Sequence, residues 1–303
     1  MTAAMASRDM TASGAPARGD PSMAGVGATA DKGRTAAAVA AGEARVDDAW
    51  FDAPVCRNCG ARLETPYCSR CGQPRARRFS WRDLRRETWE RWRLFELGQA
   101  RTLWRLVARP GTVAREYVLG RRKDHVHPLK LLLVLVGLML LVQGASRYFA
   151  HYSWSSRADA QLDRMTGLIQ AYANWSFSLG IFAIFGASLL VYRRRLGYNA
   201  MEHAVLAVYC QIIIMAALLL NLLPTLVWNS PAFVAAYKDA SKWYMYAVKL
   251  FIVGLAFRQF FVVGLRREWP RLALAVAVYA VASWLLLRAY AYAILRIVQY
   301  QLS

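Results

Sequence analysis

A chain of 303 residues with 39 Lys and Arg against 19 Asp and Glu carries a formal net charge of +20, yet 57% of its residues are hydrophobic. The two properties are segregated: residues 75–130 are rich in arginine, and residues 129–300 are dominated by long apolar runs. This argues against a uniformly solvated basic domain and for a chain partly solvated by lipid. Basic residues beside an apolar helix attract anionic headgroups by about 1 kcal/mol each, so nucleic acid is the weaker expectation for the positive charge.

In chain order, residues 1–41 lack the apolar core of a signal peptide. They are rich in Ala, Gly, Thr and Ser, and residues 1–50 are expected to form a disordered tail. Residues 51–74 hold Cys56, Cys59, Cys68 and Cys71 as two Cys-x-x-Cys pairs eight residues apart, with Gly60 and Gly72 placed to allow tight turns. Four thiolates in this pattern complete a tetrahedral site, the usual arrangement for structural zinc (Zn2+). Iron in a rubredoxin-like site is the chief alternative, and a redox thiol pair is the third reading. A ribbon this small has no adequate core without its metal, so metal binding is its folding energy. Reduced thiols place it in the cytoplasm. Cys210, in an apolar run, reads as a small buried side chain.

Residues 75–128 form a basic amphipathic juxtamembrane segment. Ser80 is a plausible N-cap. Trp81, Leu84, Trp92, Phe95, Leu103 and Leu106 recur at helical spacing opposite several arginines. Such a helix lies in the headgroup plane or packs on its own membrane domain. Arg109-Pro110-Gly111 ends it, since proline cannot continue the ladder. A second short amphipathic stretch over 112–119 stops at Gly120. Arg121, Arg122 and Lys123 read as a membrane-surface basic cluster, and His125 and His127 as interfacial contacts.

Pro128 introduces a transmembrane domain over 129–303. About five helices are expected, near 129–150, 175–192, 203–228, 243–263 and 272–298, each long enough for the hydrocarbon core or close to it. Trp154, Trp175, Trp228, Trp243 and Trp269 lie near their ends, as interfacial aromatics do. Lys and Arg concentrate before the first helix and in the second and fourth loops, which implies a cytoplasmic N-terminus and an outer C-terminus. The expected fold is therefore an all-α transmembrane bundle preceded by a small zinc ribbon and an amphipathic helix.

Glu202, His203, Lys249, Arg258 and Arg288 are the candidate functional polar residues, because ionisable groups near membrane helices are expensive. Glu202 and His203 read either as a proton-linked pair or as a polar pair stabilising a helix start. Arg258 is placed to pair with Glu202. Lys249 and Arg288 either snorkel or line an anion pocket. No phosphate loop, nucleotide fingerprint, nucleophile elbow or His-Glu-x-x-His is present, so no catalytic residues and no cofactor besides the metal are assigned.

The residues Cys56-Arg57-Asn58-Cys59-Gly60 and Tyr67-Cys68-Ser69-Arg70-Cys71-Gly72-Gln73 carry a resemblance. So do Thr102-Leu103, Arg109-Pro110-Gly111, Arg115-Glu116-Tyr117, Gly120-Arg121-Arg122, Pro128 and Glu202-His203. Together they resemble a bacterial family of uncharacterised membrane proteins (domain of unknown function 3667). The resemblance runs from about residue 55 onward and implies a multi-pass inner-membrane protein with a ribbon, and no activity. Where an aromatic is expected before Pro128, this chain has a basic stretch ending in His125-Val126-His127.

Three functions follow as expectations. The first is a binding, assembly or regulatory protein whose ribbon docks a cytoplasmic protein or anionic lipid. The second is a carrier or channel for a small solute or lipid, which requires a polar cavity between helices. The third is an enzyme acting on lipid headgroups through Glu202 and His203.

Overall fold

The computed structural model describes residues 45–81, 99–145, 176, 178–228 and 230–302. Most of the expected tail, the start of the amphipathic helix after Trp81 and the loop holding Trp154 and Trp175 lie outside the described residues. Among the described residues the protein is all-helical, with two isolated antiparallel bridges and no strand. The helices are α1 (Asp48–Asp52), α2 (Gln99–Ala108), α3 (Pro110–Val118), α4 (Pro128–Ala145), α5 (Leu179–Tyr192), α6 (Ala200–Val227), α7 (Pro231–Phe260) and α8 (Leu265–Leu302).

Two of these, α6 and α8, are long and apolar enough to cross a membrane, and α4 and α5 are shorter apolar helices. The long helix α6 is central, packing on α3, α4, α5 and α7, and α8 packs on α5 and α7. Its start is three residues earlier than the apolar pattern suggests. Asn199 accepts from Glu202 N (2.9 Å), and Glu202 Oε2 accepts from Asn199 N (2.7 Å), a reciprocal capping box. Helix α7 begins twelve residues before its expected start at 243. Ser230 caps it and Pro231 opens it, but Lys238, Asp239 and Lys242 keep its first turns out of any apolar window.

Helix α3, expected only as a short amphipathic stretch, packs inside the bundle. Val113, Ala114, Tyr117 and Val118 are fully buried, each large apolar side chain contributing roughly 1.5–3 kcal/mol. The helix enters between α6 and the last turns of α7 because residue 111 is glycine: a Cβ there would lie 2.1 Å from Ala256 O. Gln259 Oε1 accepts from Gly111 N (3.0 Å) and weakly from Thr112 N (3.4 Å), which satisfies the orphan donors of this helix start. On α2, Leu106 enters the core while Trp104 and Val107 face outward.

One end of the bundle gathers the arginines. Arg195, after α5, pairs with Glu268 at the start of α8 and donates to Phe261 O (2.7 Å). Arg271 donates to Val191 O (2.9 Å) and lies over the Tyr192 ring. The residues on either side of the cysteine motif pack on this same end. Val46 N donates to Leu196 O (2.8 Å), and Asn199 Nδ2 donates to Phe79 O (3.0 Å). Residues 45–50, expected within a disordered tail, are thus placed, with Val46 buried.

Candidate metal centre and the residues around it

Each Cys-x-x-Cys pair folds as a knuckle, and the second repeats the first bond for bond. Cys56 O accepts from Gly60 N (2.9 Å), as Cys68 O does from Gly72 N (2.7 Å). Cys56 N donates to Ala61 O and Cys68 N to Gln73 O. The bridges Val55–Arg62 and Tyr67–Pro74 close the two turns. Gly60 (φ 77°) and Gly72 (φ 70°) occupy the left-handed conformation these turns require.

The knuckles bring four sulfurs together. Cys56 Sγ and Cys71 Sγ are 3.5 Å apart, as are Cys59 Sγ and Cys68 Sγ, and all four lie within 4.8 Å of one another. A tetrahedral ion with sulfur ligands at about 2.3 Å sets them about 3.8 Å apart, so the cluster fits one metal ion with no protein ligand missing. The Cys71 backbone N–H draws the Cys68 thiol down to about 7, while burial pushes Cys71 up to about 12.

The module is fastened to the turn between α3 and α4. Gln73, buried, donates Nε2 to Gly120 O (2.8 Å) and accepts at Oε1 from Arg122 N (3.2 Å) and Lys123 N (3.0 Å). Lys123 Nζ donates to Cys71 O, and Trp50 Nε1 donates to Leu119 O (3.1 Å). Gly120 (φ 105°) sits so close that a Cβ would meet Ala76 Cβ at 2.7 Å.

Of the expected membrane-surface cluster, Arg122 is turned inward, while Arg121 is partly exposed and Lys123 is exposed. Arg122 is buried, donates to Arg77 O (2.7 Å) and lies over the Phe79 ring (4.9 Å). Lys123 faces the knuckle, and Arg121 pairs with Glu116 (3.7 Å) and Asp124 (3.4 Å). His125 is buried, 2.9 Å from Glu116 Oε2. His127 is buried beside Tyr117. Glu116 also pairs with Arg105 (3.1 Å). Burial works to raise its carboxyl, but the His125 bond and the Arg121 and Arg105 charges prevail and hold it below the usual range.

Glu202 pairs with Arg78 Nε (3.4 Å), not with Arg258, which is exposed on α7. Sequence spacing placed Arg258 at matching depth but could not reveal that the stretch after the knuckles crosses the end of α6. His203 is buried with Nδ1 3.1 Å from Ser188 Oγ, amid Tyr198 and Phe261. Glu202 and His203 are fully buried, and neither lines the cavity described next. Arg288 lies over the Trp284 ring on the exposed side of α8.

Lys249 lies on a cavity of about 360 Å³ bordered by α4 to α8, together with Lys242, Gln211 and Asn221. The sequence carries a signal for it: Gln211 and Asn221 interrupt the apolar run of α6. Gln259, a lone amide in the apolar end of α7, marked the α3 contact in the same way. Gln73 lies at the end of the cysteine motif, where no local pattern distinguishes it from a turn residue.

Residues 99–140 match the model of a family described as protein of unknown function (DUF3667). Neither the curated proteins nor the solved structures contain a match to the chain. The matched span holds Arg109-Pro110-Gly111, Arg115-Glu116-Tyr117 and Gly120-Arg121-Arg122. It therefore covers α3 and its contacts with α7 and the knuckles.

Proposed function

We propose that this chain is a multi-pass membrane protein of the binding and regulatory class. In this reading a cytoplasmic zinc ribbon couples metal occupancy to the inner end of a helical bundle. The observation that carries it is the fastening of Gln73, two positions beyond Cys71, to the turn that leads into α4. A module without an apolar core needs its metal to hold shape, so losing the ion would release that turn. Four thiolates at a closed tetrahedral site favour zinc and leave no open position for catalysis.

Apolar side chains facing outward support the membrane reading. Leu141, Phe182, Leu190, Leu220, Phe251 and Val281 are all exposed, far more than a water-facing surface tolerates. Arginines gathered at the ribbon end favour that end as cytoplasmic. With its inner face on the bundle, the ribbon keeps Tyr67, Arg62 and Arg70 exposed for a protein partner or anionic headgroups. The cavity at Lys249 favours a carrier as the second reading.

The test is purification of the full chain in nanodiscs, wild type against Cys56→Ser/Cys59→Ser, with metal quantified and bound proteins and lipids identified by mass spectrometry. About one zinc per wild-type chain, and joint loss of zinc, of a partner or lipid, and of protection over 119–124, is the expected result. Unchanged protection of that turn in the metal-free variant would overturn the coupling.

A further inference from the structure

The cavity between the helices has a one-sided polar lining. Its residues include Lys242 and Lys249 and neither Asp nor Glu. Lys242 has a partner in Asp239, 3.1 Å away on its own helix and outside the cavity. Lys249 has no ion pair among the described residues. About 16 Å of helix separates it from Phe260 at 1.5 Å per residue, which puts its charge far from either end of α7. An ammonium at that position is costly unless a counter-charge reaches it.

The neutral polar residues lean the same way. Asn221 Oδ1 already accepts from Tyr237 Oη (3.1 Å) and from Tyr244 Oη, so the nitrogen of its amide is the atom left to offer a ligand. Gln211 projects against the backbone of α5, where Gly180 leaves room for it: a Cβ at 180 would lie 2.3 Å from Gln211 Oε1. Ser283, whose hydroxyl donates to Ala280 O (3.1 Å), lines the α8 side, and Met139, Leu218 and Leu287 supply apolar walls. A volume of about 360 Å³ lies in the range of small-ligand sites, ~300–1,000 Å³.

From this geometry we infer that the bundle holds a binding site for an anionic group, phosphate or carboxylate, whose charge is met by Lys249 and whose remainder lies on the apolar wall. The polar side chains argued for the site stand on α6, α7 and α8, and none belongs to the cysteine module. A lipid headgroup and a small soluble anion share this chemistry, and the experiment separates them.

The full chain in mild detergent is titrated with sodium phosphate, with dihexanoyl phosphatidylglycerol, and with dihexanoyl phosphatidylcholine as the net-neutral control. Binding is read by native mass spectrometry and calorimetry for wild type, Lys249→Gln, Lys249→Arg and Ser283→Leu. Wild type is expected to take one anion per chain. Lys249→Gln weakens it about tenfold or more, as loss of a charge-assisted bond does. Lys249→Arg retains most of the affinity, and Ser283→Leu, which fills the cavity without changing charge, abolishes it. Saturation by phosphate assigns a soluble anion; saturation by phosphatidylglycerol alone assigns a headgroup. No anionic probe binding better than phosphatidylcholine, or equal binding by wild type and both Lys249→Gln and Ser283→Leu, overturns the site. Unliganded melting curves of all four proteins separate loss of ligand from loss of fold.

Discussion

The side-chain nitrogen of Gln73 lies 2.8 Å from the carbonyl oxygen of Gly120, and this bond joins the second cysteine knuckle to the turn that ends α3. The oxygen of the same amide holds Arg122 N and Lys123 N. Gln73→Ala removes all three bonds at a buried place, at a cost of about 2–4 kcal/mol. Hydrogen exchange over 119–124 should accelerate while metal content stays at the wild-type level. Unchanged exchange would show that the apolar contacts alone hold the module.

Gly111→Ala tests the entry of α3 into the bundle. A methyl group 2.1 Å from Ala256 O cannot be accommodated without moving a backbone. The expected loss is at least 1–3 kcal/mol, as overpacking typically costs. A lower melting temperature in nanodiscs, together with a smaller loss in Gln259→Leu, would match the geometry. A melting temperature equal to wild type would contradict it.

Cys59→Ser should unfold the knuckles and leave the bundle inserted. Alkylation followed by mass spectrometry reads this directly. Cys56, Cys68 and Cys71 become modified, while Cys210, fully buried in α6, stays unreactive. Protection of all three remaining knuckle thiols would mean that the module folds without its metal.

Glu116 gives a pH signature. Its carboxyl is held below the ordinary value of 4.5, since the His125 bond and the Arg121 and Arg105 charges outweigh burial. A depressed carboxylate stabilises the fold above its unfolded value and stops doing so as pH falls through its lowered one. Glu116→Gln should therefore destabilise the protein near neutrality, by about 1 kcal/mol or less given its partial exposure. The difference from wild type should shrink below about pH 4. A difference that persists at pH 3 would assign the effect to packing.

Arg78 and Glu202 should be coupled. In a double-mutant cycle with Arg78→Gln and Glu202→Gln, a coupling of about 1–3 kcal/mol is expected, because Glu202 is fully buried and Arg78 is its ion-pair partner. Additive losses would reduce the contact to proximity.

The apolar helices were legible because composition alone marks them, and the cysteine cluster because four thiols at that spacing have few other uses. The basic residues were not. Arg78, Arg122 and Lys123 have the same composition signature whether they meet headgroups or carbonyl oxygens. Only the fold shows that Arg122 donates to Arg77 O and Arg78 reaches Glu202. Helix α7 outruns its apolar pattern for a related reason: Lys238 and Asp239 lower its hydropathy without disturbing its backbone. Gly111 and Gly120 lay within recognisable motifs, yet what each glycine avoids is a neighbour distant in sequence.

The contact between Arg78 and Gly197, which are 119 positions apart, has a consequence for biosynthesis. The segment after the knuckles leaves the ribosome well before the α5–α6 turn that Arg78 reaches exists. At about 5–20 residues per second, that interval is roughly 6–24 s, during which α4 and α5 must also be made. Through that time the cysteine module has neither the α5–α6 turn nor Glu202 to lean on. On the proposed metal-bound reading, capture of the ion by the nascent chain is the step that would keep its thiols from oxidation or wrong pairing. A shortage of the ion would be felt first by chains still under synthesis, before it reached the finished protein.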